Sequence, residues 1–402
     1  MSFKTLRDFD VRGKTVLLRA DLNVPVDASR NVTDTTRIDR VKPTVEYLVA
    51  QGAKTLILAH FGRPKGARNA AYSLSFLPPV LQARWGVDVV FADDCVGGPV
   101  QAMADSLKSG QVALLENVRF HAGEEQNDRV FARALAENGD IFINDAFSAA
   151  HRAHASTEGL AHLLPTGAGF LMAAELDALN AALEHPQKPV MAIAGGSKIS
   201  SKLSLLKNLV KKVDYLALGG GMATTFLYAQ GHEVGQSLCE PDMADEARAI
   251  MAEARACGCE ILLPPDRVIV KEFGKNAPHE SVSSSAIPAD REAVDVGPET
   301  IRFLSGKMEG CKTVLWNGPL GVFEVTPFDT GTNELARTVA GLTKAGKIVS
   351  IAGGGDTVAA LENAGVVQDF TYVSTAGGAF LEWLEGKPLP GVAALSAQPK
   401  AA

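Results

Sequence analysis

The sequence lacks the features that define several large protein classes. It has no apolar run long enough to cross a bilayer, and charged residues scattered between Met1 and Asn23 leave no signal-peptide core. Positive charge is not in surplus either, because the net charge is −7, which disfavours nucleic-acid binding. We therefore expect a soluble cytoplasmic protein that binds neither membranes nor nucleic acid.

Cysteine is scarce, with five residues in a chain of 402. Only Cys257 and Cys259 are close in sequence, and a structural zinc site would need a second ligand pair. We interpret the cysteines as buried or idle thiols, which is typical of a reducing compartment.

Two glycine signatures of nucleotide binding are also missing. No G-x-x-x-x-G-K-S/T string occurs, which excludes a Walker-type nucleotide hydrolase. No G-x-G-x-x-G opens the first strand–helix unit, which disfavours a nicotinamide dehydrogenase. A nucleotide site in this chain must therefore be built in another way.

A short run rich in Val, Ile or Leu, then a loop, then a helical stretch recurs from end to end. This alternation is typical of parallel sheets covered on both faces, and 402 residues exceed what one core usually organises. We predict an α/β protein of two similar-sized lobes, each a mostly parallel, Rossmann-like sheet flanked by helices. The predicted strands are Thr15–Arg19, Thr55–Ala59, Val112–Leu115, Ile141–Ile143, Val190–Ala194, Tyr215–Leu218, Lys347–Ile351 and Tyr372–Ser374.

A helix over Phe170–His185 is predicted between the halves, because apolar residues recur at helical spacing until Pro186 and Pro189 end it. We interpret it as an interdomain helix and part of a hinge; an ordinary helix within one domain would have the same periodicity. The expected divisions are residues 1–169 for the first lobe, 170–185 for the helix and 186–387 for the second lobe.

The two halves differ at the ends of their strands, where ligands bind in open α/β sheets. In the first half, guanidinium groups are frequent there, and these hold carboxylates and phosphates through paired hydrogen bonds. The set predicts a site for a small polyanion, although each member alone is more often part of a surface ion pair. Its members are Arg19, Asp21, Asn23, His60, Arg63, Arg119, His151 and Arg152.

In the second half the strands end in glycines, which let backbone amides and helix N-termini approach phosphates. Lys198 and Lys202 lie four residues apart, which predicts both ammonium groups on one face of a helix running through Leu209. Asp356 is placed either to hold Mg²⁺ or to cap the following helix, and the sequence does not separate these roles. The glycines are Gly195-Gly196, Gly219-Gly220-Gly221, Gly353-Gly354-Gly355 and Gly377-Gly378.

Longer strings resemble the phosphoglycerate kinase family, in the family's order and over essentially the whole chain. They are Val16–Pro25, His60–Pro64, Leu115–Phe120, Asn144–Phe147 with His151–His154, Gly195–Lys198, Leu218–Ala223, Trp316–Pro319 with Gly321–Glu324, and Gly353–Thr357.

The resemblance implies a phosphoglycerate site in the first lobe and an ATP/ADP site in the second. It implies catalytic roles for Arg37, Lys198, Gly354 and Gly377. The implied phosphoglycerate site consists of Asp21, Asn23, Arg37, His60, Arg63, Arg119 and Arg152. The implied nucleotide site consists of Lys198, Lys202, Gly219, Gly220, Asn317, Glu324, Gly353, Gly354, Gly355, Asp356 and Thr357, with Asp356 binding Mg²⁺.

The implied activity is the reversible, Mg²⁺-dependent transfer of a phosphoryl group from 1,3-bisphosphoglycerate to ADP, giving 3-phosphoglycerate and ATP in glycolysis. The reacting carboxylate is ionised at neutral pH, so no general base is needed, and catalysis consists of positioning and charge neutralisation during in-line transfer. We also expect a monomer, hinge closure when both ligands are bound, and a C-terminal segment (388–402) that returns to the first lobe. The alternatives are another carboxylate kinase that forms an acyl phosphate, and a non-catalytic nucleotide-binding protein.

Three positions depart from the family's pattern. Ala376 stands where a third glycine is common, Ser148 begins a segment where a Gly-Thr pair is usual, and Ser197 replaces a common alanine. We expect these departures to tune the two sites without abolishing activity.

Overall fold

The structure, a computed structural model, describes residues 3–396. The chain forms two compact units: the first runs to Leu176 and takes up the chain again from Pro388, and the second is Asp177–Lys387. Of the predicted C-terminal segment, residues 397–402 lie outside the described residues. No helix in the described part is long and apolar enough to cross a membrane. All five cysteines are free thiols.

The first unit is built on a six-stranded parallel sheet in the order β3-β4-β2-β1-β5-β6. Its strands are β1 Thr15–Arg19, β2 Lys54–Leu58, β3 Val89–Ala92, β4 Val112–Leu115, β5 Ile141–Asn144 and β6 Thr166–Ala168. Its helices are α1 Thr36–Ala50, α2 Pro78–Trp85, α3 Gly98–Ser106, α4 Ala122–Glu125, α5 Arg129–Ala136 and the C-terminal α14 Pro390–Ala393.

Helices cover both faces of this sheet, as the apolar strand sequences predict. Along β1, Val16 and Leu18 join the hydrophobic core on one face, while Leu17 joins a separate core on the other. The same alternation holds in β2, where Ile57 lies between Leu56 and Leu58. Because both faces are buried, the charged and polar residues are left to the strand ends.

The chain passes from the first unit to the second within α6, Phe170–Leu179, and a π-helical turn, Asn180–Glu184, follows. The helix predicted over Phe170–His185 is therefore regular α-helix only as far as Leu179.

The second unit contains a six-stranded parallel sheet in the order β15-β14-β13-β7-β8-β9 and a three-stranded antiparallel sheet in the order β11-β10-β12. The strands are β7 Val190–Ala194, β8 Tyr215–Leu218, β9 Glu260–Leu262, β10 Asp266–Val270, β11 His279–Ser283, β12 Glu292–Val296, β13 Thr313–Asn317, β14 Val349–Gly353 and β15 Tyr372–Ser374. The helices are α7 Leu203–Leu209, α8 Gly220–Ala229, α9 Ala244–Cys257, α10 Pro298–Glu309, α11 Thr330–Lys344, α12 Gly355–Asn363 and α13 Gly378–Leu384.

Two features of the second unit differ from the sequence prediction. The antiparallel sheet and strands β9 and β13 of the parallel sheet were not predicted. Strand β14 starts at Val349 rather than Lys347, because the N–H of Lys347 donates to the carbonyl of Leu342 and closes the end of α11. The two main sheets are parallel as predicted, and their carboxyl ends carry the loops of interest.

Candidate functional site

Basic side chains of the first unit converge on His60, a buried residue that follows β2. Burial lowers the pKa of His60 well below its usual value, and the charges of Arg19, Arg119, Arg152 and Arg37 lower it further. The imidazole is therefore neutral at physiological pH and lies among four cations. Such a concentration of positive charge favours an anionic ligand.

Arg37 lies in the first turn of α1 and is half-buried. Its Nη1 is 2.6 Å from Oδ2 of Asp21, the second residue after the end of β1. Ser148 Oγ donates to the same carboxylate oxygen, and Oδ1 of Asp21 accepts the N–H of Asn23 at 3.0 Å. The unusual Ser148 thus helps to orient the carboxylate that holds Arg37.

The loops after β1, β2 and β4 are joined through the peptide groups of Gly62. Asn23 Oδ1 accepts the N–H of Gly62 at 2.9 Å, and Arg119 Nη1 donates to the carbonyl of Gly62 at 2.8 Å. Burial, together with the charges of Arg19 and Arg152, lowers the pKa of Arg119 to about 10, so this side chain remains a cation at neutral pH. Its Nε lies 3.4 Å from Oε1 of Glu125.

Two of the predicted residues are less firmly held. Arg152 is half-buried, with Nε 3.1 Å from Nε2 of His151. Arg63 is exposed and takes part in no hydrogen bond or ion pair among residues 3–396. Hydrogen bonds therefore connect Asp21, Asn23 and Arg37 directly and Arg119 through Gly62, whereas His60 is bonded to Arg19 and Arg152 to His151.

Beneath this cluster lies a buried network around Arg19, a strand-end residue that the sequence singled out but whose contacts it did not predict. Arg19 is 1% exposed, and its Nη2 lies 3.0 Å from Nδ1 of His60. Because an arginine can only donate, Nδ1 accepts and the proton of the neutral ring lies on Nε2, where it can donate to a ligand. The signal in the sequence was an arginine at the end of a continuously apolar strand.

The same network also holds the Nε of Arg19. Arg19 Nε donates to Ser156 Oγ at 2.9 Å, and Ser156 donates from Oγ and N to the two carboxylate oxygens of Glu124, at 2.6 and 2.8 Å. Burial raises the pKa of Glu124, and the charge of Arg19 opposes that rise. His154 lies alongside, with Nδ1 3.8 Å from Glu124, and burial together with the surrounding arginines lowers its pKa to about 3.

In the second unit, Lys202 is fixed between the loops that follow β7 and β13. Its Nζ donates to the carbonyl of Gly195 at 2.8 Å and to the carbonyl and Oδ1 of Asn317 at 3.2 and 2.6 Å. Burial lowers the pKa of Lys202 to about 8, and the charge of Asp356 opposes the change. The ammonium group is therefore a positioned cation at neutral pH.

The prediction that Lys198 and Lys202 share one helical face is wrong. Ser200–Lys202 is a 3₁₀ turn, and α7 begins only at Leu203. The turn is fixed because Glu240 accepts both the N–H and the hydroxyl of Ser200, at 3.0 and 2.6 Å. Lys198 precedes the turn, is exposed and forms no ion pair in the described part of the chain.

Asn317 and Thr357 join the loops after β13 and β14. Asn317 Nδ2 donates to the carbonyl of Gly353 at 2.7 Å, and Thr357 Oγ1 accepts the N–H of Gly318 at 2.7 Å. These two predicted nucleotide residues therefore shape the site through bonds within the protein.

The glycine loops lead directly into helices. Gly219 is the N-cap of α8, and Gly354 is the N-cap of α12 with a φ of +101°. A Cβ on Gly355 would meet nothing within 4 Å, so the first turn of α12 opens onto free space. Gly377 is likewise the N-cap of α13. The N–H of the neighbouring Ala376, however, donates to Ser374 Oγ at 3.2 Å.

These loops border a cavity of about 560 Å³ in the second unit. Asp356 lies at its edge as an exposed carboxylate in the first turn of α12, and the helix is capped by Gly354 instead. One exposed carboxylate beside this cavity suits Mg²⁺, which is usually held by one or two carboxylates plus substrate phosphates. The lining consists of Gly196, Ser197, Gly220, Gly221, Thr224, Leu238, Arg267, Phe273, Glu292, Ala293, Val294, Pro319, Gly321, Val322, Phe323, Glu324 and Asp356.

Comparison with known proteins gives one consistent family. The family model for phosphoglycerate kinase matches residues 6–387. The phosphoglycerate kinase of Rhodospirillum centenum is 62% identical over 397 residues, which cover 99% of this chain and 100% of the relative. The solved phosphoglycerate kinase of Coxiella burnetii is 40% identical with a TM-score of 0.93, covering 99% of this chain and 100% of that one. The solved enzyme of Pyrococcus horikoshii is 29% identical with a TM-score of 0.80, covering 98% of each chain.

Proposed function

The chain belongs to the phosphoglycerate kinase family, and on that premise we propose how its two units divide the work of one phosphoryl transfer. The reaction is reversible transfer between 1,3-bisphosphoglycerate and ADP, which makes the chain a phosphotransferase with a carboxyl group as acceptor. In the proposal, the first unit binds phosphoglycerate and the second binds the nucleotide with its metal ion.

The observation that carries the proposal is the convergence of four guanidinium groups on a neutral His60. Phosphoglycerate is a small molecule with an anionic group at each end, so it matches a compact set of cations. Arg37, Arg119 and Arg152 supply the charge, while His60 supplies an uncharged donor from Nε2. Asp21 holds Arg37 in place, and Asn23 holds the Gly62 peptide. Arg63 is kept in the proposed site as an exposed cation of the same loop.

In the second unit, the glycine loops and helix N-termini receive the phosphates, and Lys202 contributes a fixed positive charge behind them. Gly219, Gly220, Gly353 and Gly355 form the phosphate-binding turns, whereas Glu324 lines the cavity. We assign Mg²⁺ to Asp356, where the ion would neutralise phosphate charge.

The chemistry follows from these charges. The acceptor carboxylate is already ionised and needs no base, so the protein has to place it in line and neutralise the equatorial phosphoryl oxygens. We assign that task to Arg37, to the exposed Lys198 and to the loop amides at Gly354 and Gly377. Lys198 suits this role because its ammonium group is not committed to an ion pair among residues 3–396.

We also propose that the enzyme works in the cytoplasm as a monomer. The composition and the five free thiols fit a reducing compartment. Light scattering on the purified protein tests the assembly state, with a mass near 42.3 kDa expected. A mass of twice that value would contradict the proposal.

The reaction is tested by mixing the protein with MgATP and 3-phosphoglycerate and trapping the acyl phosphate with hydroxylamine while ADP release is followed. Hydroxamate should form only when both substrates and Mg²⁺ are present, and acetate in place of 3-phosphoglycerate should give none. If ATP binds without any transfer, the alternative of a non-catalytic nucleotide-binding protein replaces the proposal.

A further inference from the structure

Arg267 is a buried cation that the phosphoryl-transfer chemistry described above does not use. It lies on β10, is 1% exposed and lines the cavity of the second unit. The strand beside it, β12, contributes Ala293 and Val294 to the same cavity. A guanidinium group in such a position is costly unless its charge and its donors are matched.

The hydrogen-bond donors of Arg267 are poorly satisfied by the protein. Arg267 Nε donates to the carbonyl of Asp295 and Nη1 donates to Thr224 Oγ1, both at a long 3.3 Å. No carboxylate of residues 3–396 lies within 4.0 Å of it, although the charges of Asp295 and Asp266 act on the guanidinium group from farther away and favour its charged form. The Asp295 carboxylate is engaged elsewhere, because it accepts the N–H groups of Gly331 and Val296 at 2.7 and 2.8 Å.

Free donors therefore remain on Arg267. A guanidinium group has five N–H donors, and here only two of them have protein acceptors. Nη2 has no partner in the protein and is not sealed from the surrounding space. Since the residue lines the cavity, an acceptor on the bound ligand can complete the missing bonds.

The surroundings indicate which part of a nucleotide that acceptor belongs to. The wall formed by Leu238, Phe273, Val294, Val322 and Phe323 is apolar and suits a flat base. The phosphate-binding glycines lie in other loops of the lining. Arg267 lies on the strand paired with β12, which contributes Ala293 and Val294 to the lining, and it bonds Thr224 within α8, beyond the glycines that begin the helix. We infer that its free donors serve the apolar, base end of the cavity.

The chemistry of the purines then separates two classes of base. Guanine and hypoxanthine present two adjacent acceptors, O6 and N7, which match the arginine fork. Adenine presents N7 beside an amino group that is itself a donor, so one arginine N–H would face another donor. We propose that Arg267 is a base-specificity residue that lets this site use 6-oxopurine nucleotides at least as well as adenine nucleotides.

This inference rests on the proposed function, and it is tested by comparing kcat/KM for ATP, GTP and ITP with 3-phosphoglycerate in the wild type and in Arg267→Met. We expect a wild-type GTP/ATP ratio of one or more, which falls at least about fivefold in Arg267→Met, the discrimination typical of one bidentate contact. ITP should follow GTP, because it shares O6 and N7 but lacks the 2-amino group.

Arg291→Met is the matched control, because Arg291 lies next to β12 but lines a different cavity; it should leave the ratio unchanged. Arg267→Lys keeps the charge without the forked guanidinium group, and its GTP/ATP ratio should resemble that of Arg267→Met. It serves as the second test variant if Arg267→Met does not fold. A wild-type ratio well below one, or an equal loss for all three nucleotides, would overturn the inference while leaving phosphoryl transfer established. Absence of transfer with every nucleotide would instead overturn the proposed function.

Discussion

Burial sets the chemistry of the two histidines in the first unit. His60 and His154 are both 8% exposed and lie among arginines, so neither carries charge at neutral pH. This leaves Arg37, Arg119 and Arg152 as the cations that we propose to contact the substrate. Arg37 differs from the other two because it lies on an α-helix and its Nη1 is only 2.6 Å from a carboxylate oxygen, Oδ2 of Asp21.

Replacing Arg37 by alanine removes a cation assigned to the phosphoryl group. Hydrogen bonds to charged groups contribute about 1.5–3 kcal/mol, so we expect Arg37→Ala to lower kcat at least about tenfold. Steady-state kinetics at saturating substrates measure this. Arg133→Ala on the exposed side of α5 is the control. A kcat for Arg37→Ala within about twofold of the wild type would show that the assigned role is wrong.

His154 predicts a specific pH dependence of stability. Its pKa is about 3 in the folded state but about 6.5 when unfolded, so protons bind preferentially to the unfolded chain and stability falls as pH drops below 6.5. Between pH 7.5 and 5.5 this residue should cost about 1.3 kcal/mol of unfolding free energy. Urea denaturation of His154→Gln should show a pH dependence that is weaker by about 1 kcal/mol, whereas His279→Gln, exposed on β11, should match the wild type. Identical curves for wild type and His154→Gln would refute this.

Some residue roles could be predicted from the sequence and others could not. The strand-end arginines were visible because Arg19, Arg63, Arg119 and Arg152 share one chemistry at the ends of strands. The burial of Arg19 behind His60 was not predictable, since the network depends on Ser156 and Glu124 from distant segments. The different environments of Lys198 and Lys202 could not be predicted for the same reason, because the turn between them is fixed by Glu240, 40 positions away from Ser200.

At the scale of elements, three strands of the second unit, β8, β14 and β15, lead into helices α8, α12 and α13 through glycine N-caps. Gly220 shows why no other residue serves at the start of α8: its φ is +62°, and a Cβ would lie 2.6 Å from the carbonyl oxygen of Gly196. That contact joins the loops after β7 and β8. Any side chain there must push these two loops apart, and we propose that both bind phosphate.

A pair of glycine substitutions separates backbone strain from this loop contact. Gly231, just beyond the end of α8, has a φ of +91° with nothing within 4 Å of its would-be Cβ. Gly231→Ala should cost about 1–2 kcal/mol of stability from left-handed strain and leave the KM for ATP unchanged. Gly220→Ala should cost more and raise that KM by about tenfold or more, because small displacements of a positioned loop are costly. Equal KM values for the two variants would contradict the role of the Gly196–Gly220 contact.

Element by element, the strands that were predicted have largely apolar sequences, such as β1, β7 and β8, whereas β3 and β13 were overlooked although they are equally apolar. The antiparallel β10 and β12 were missed because they bury charged residues, including Asp266, Arg267 and Asp295, and so lack that pattern. One of these buried charges, Arg267, is the residue on which the proposed base specificity depends. The two strands that lack the expected apolar pattern, β10 and β12, thus contribute residues to the cavity lining.

At the scale of the whole molecule, we propose that each compact unit binds one of the two substrates. A phosphoryl group can pass between them only if the two ligands meet, so hinge closure stays a prediction. Solution scattering should show a smaller radius of gyration with 3-phosphoglycerate and a non-hydrolysable MgATP analogue together than with either ligand alone. An unchanged radius with both ligands bound would contradict closure.

The most direct test of the central claim is hydrogen exchange, read by mass spectrometry, with each ligand added alone. 3-Phosphoglycerate should slow exchange in the first unit around Asp21, Arg37, His60 and Arg119, and leave the second unit unchanged. MgADP should slow exchange around Gly195, Gly220 and Gly355 only. Protection by 3-phosphoglycerate in the glycine loops, or by MgADP around His60, would contradict the division of substrates between the two units.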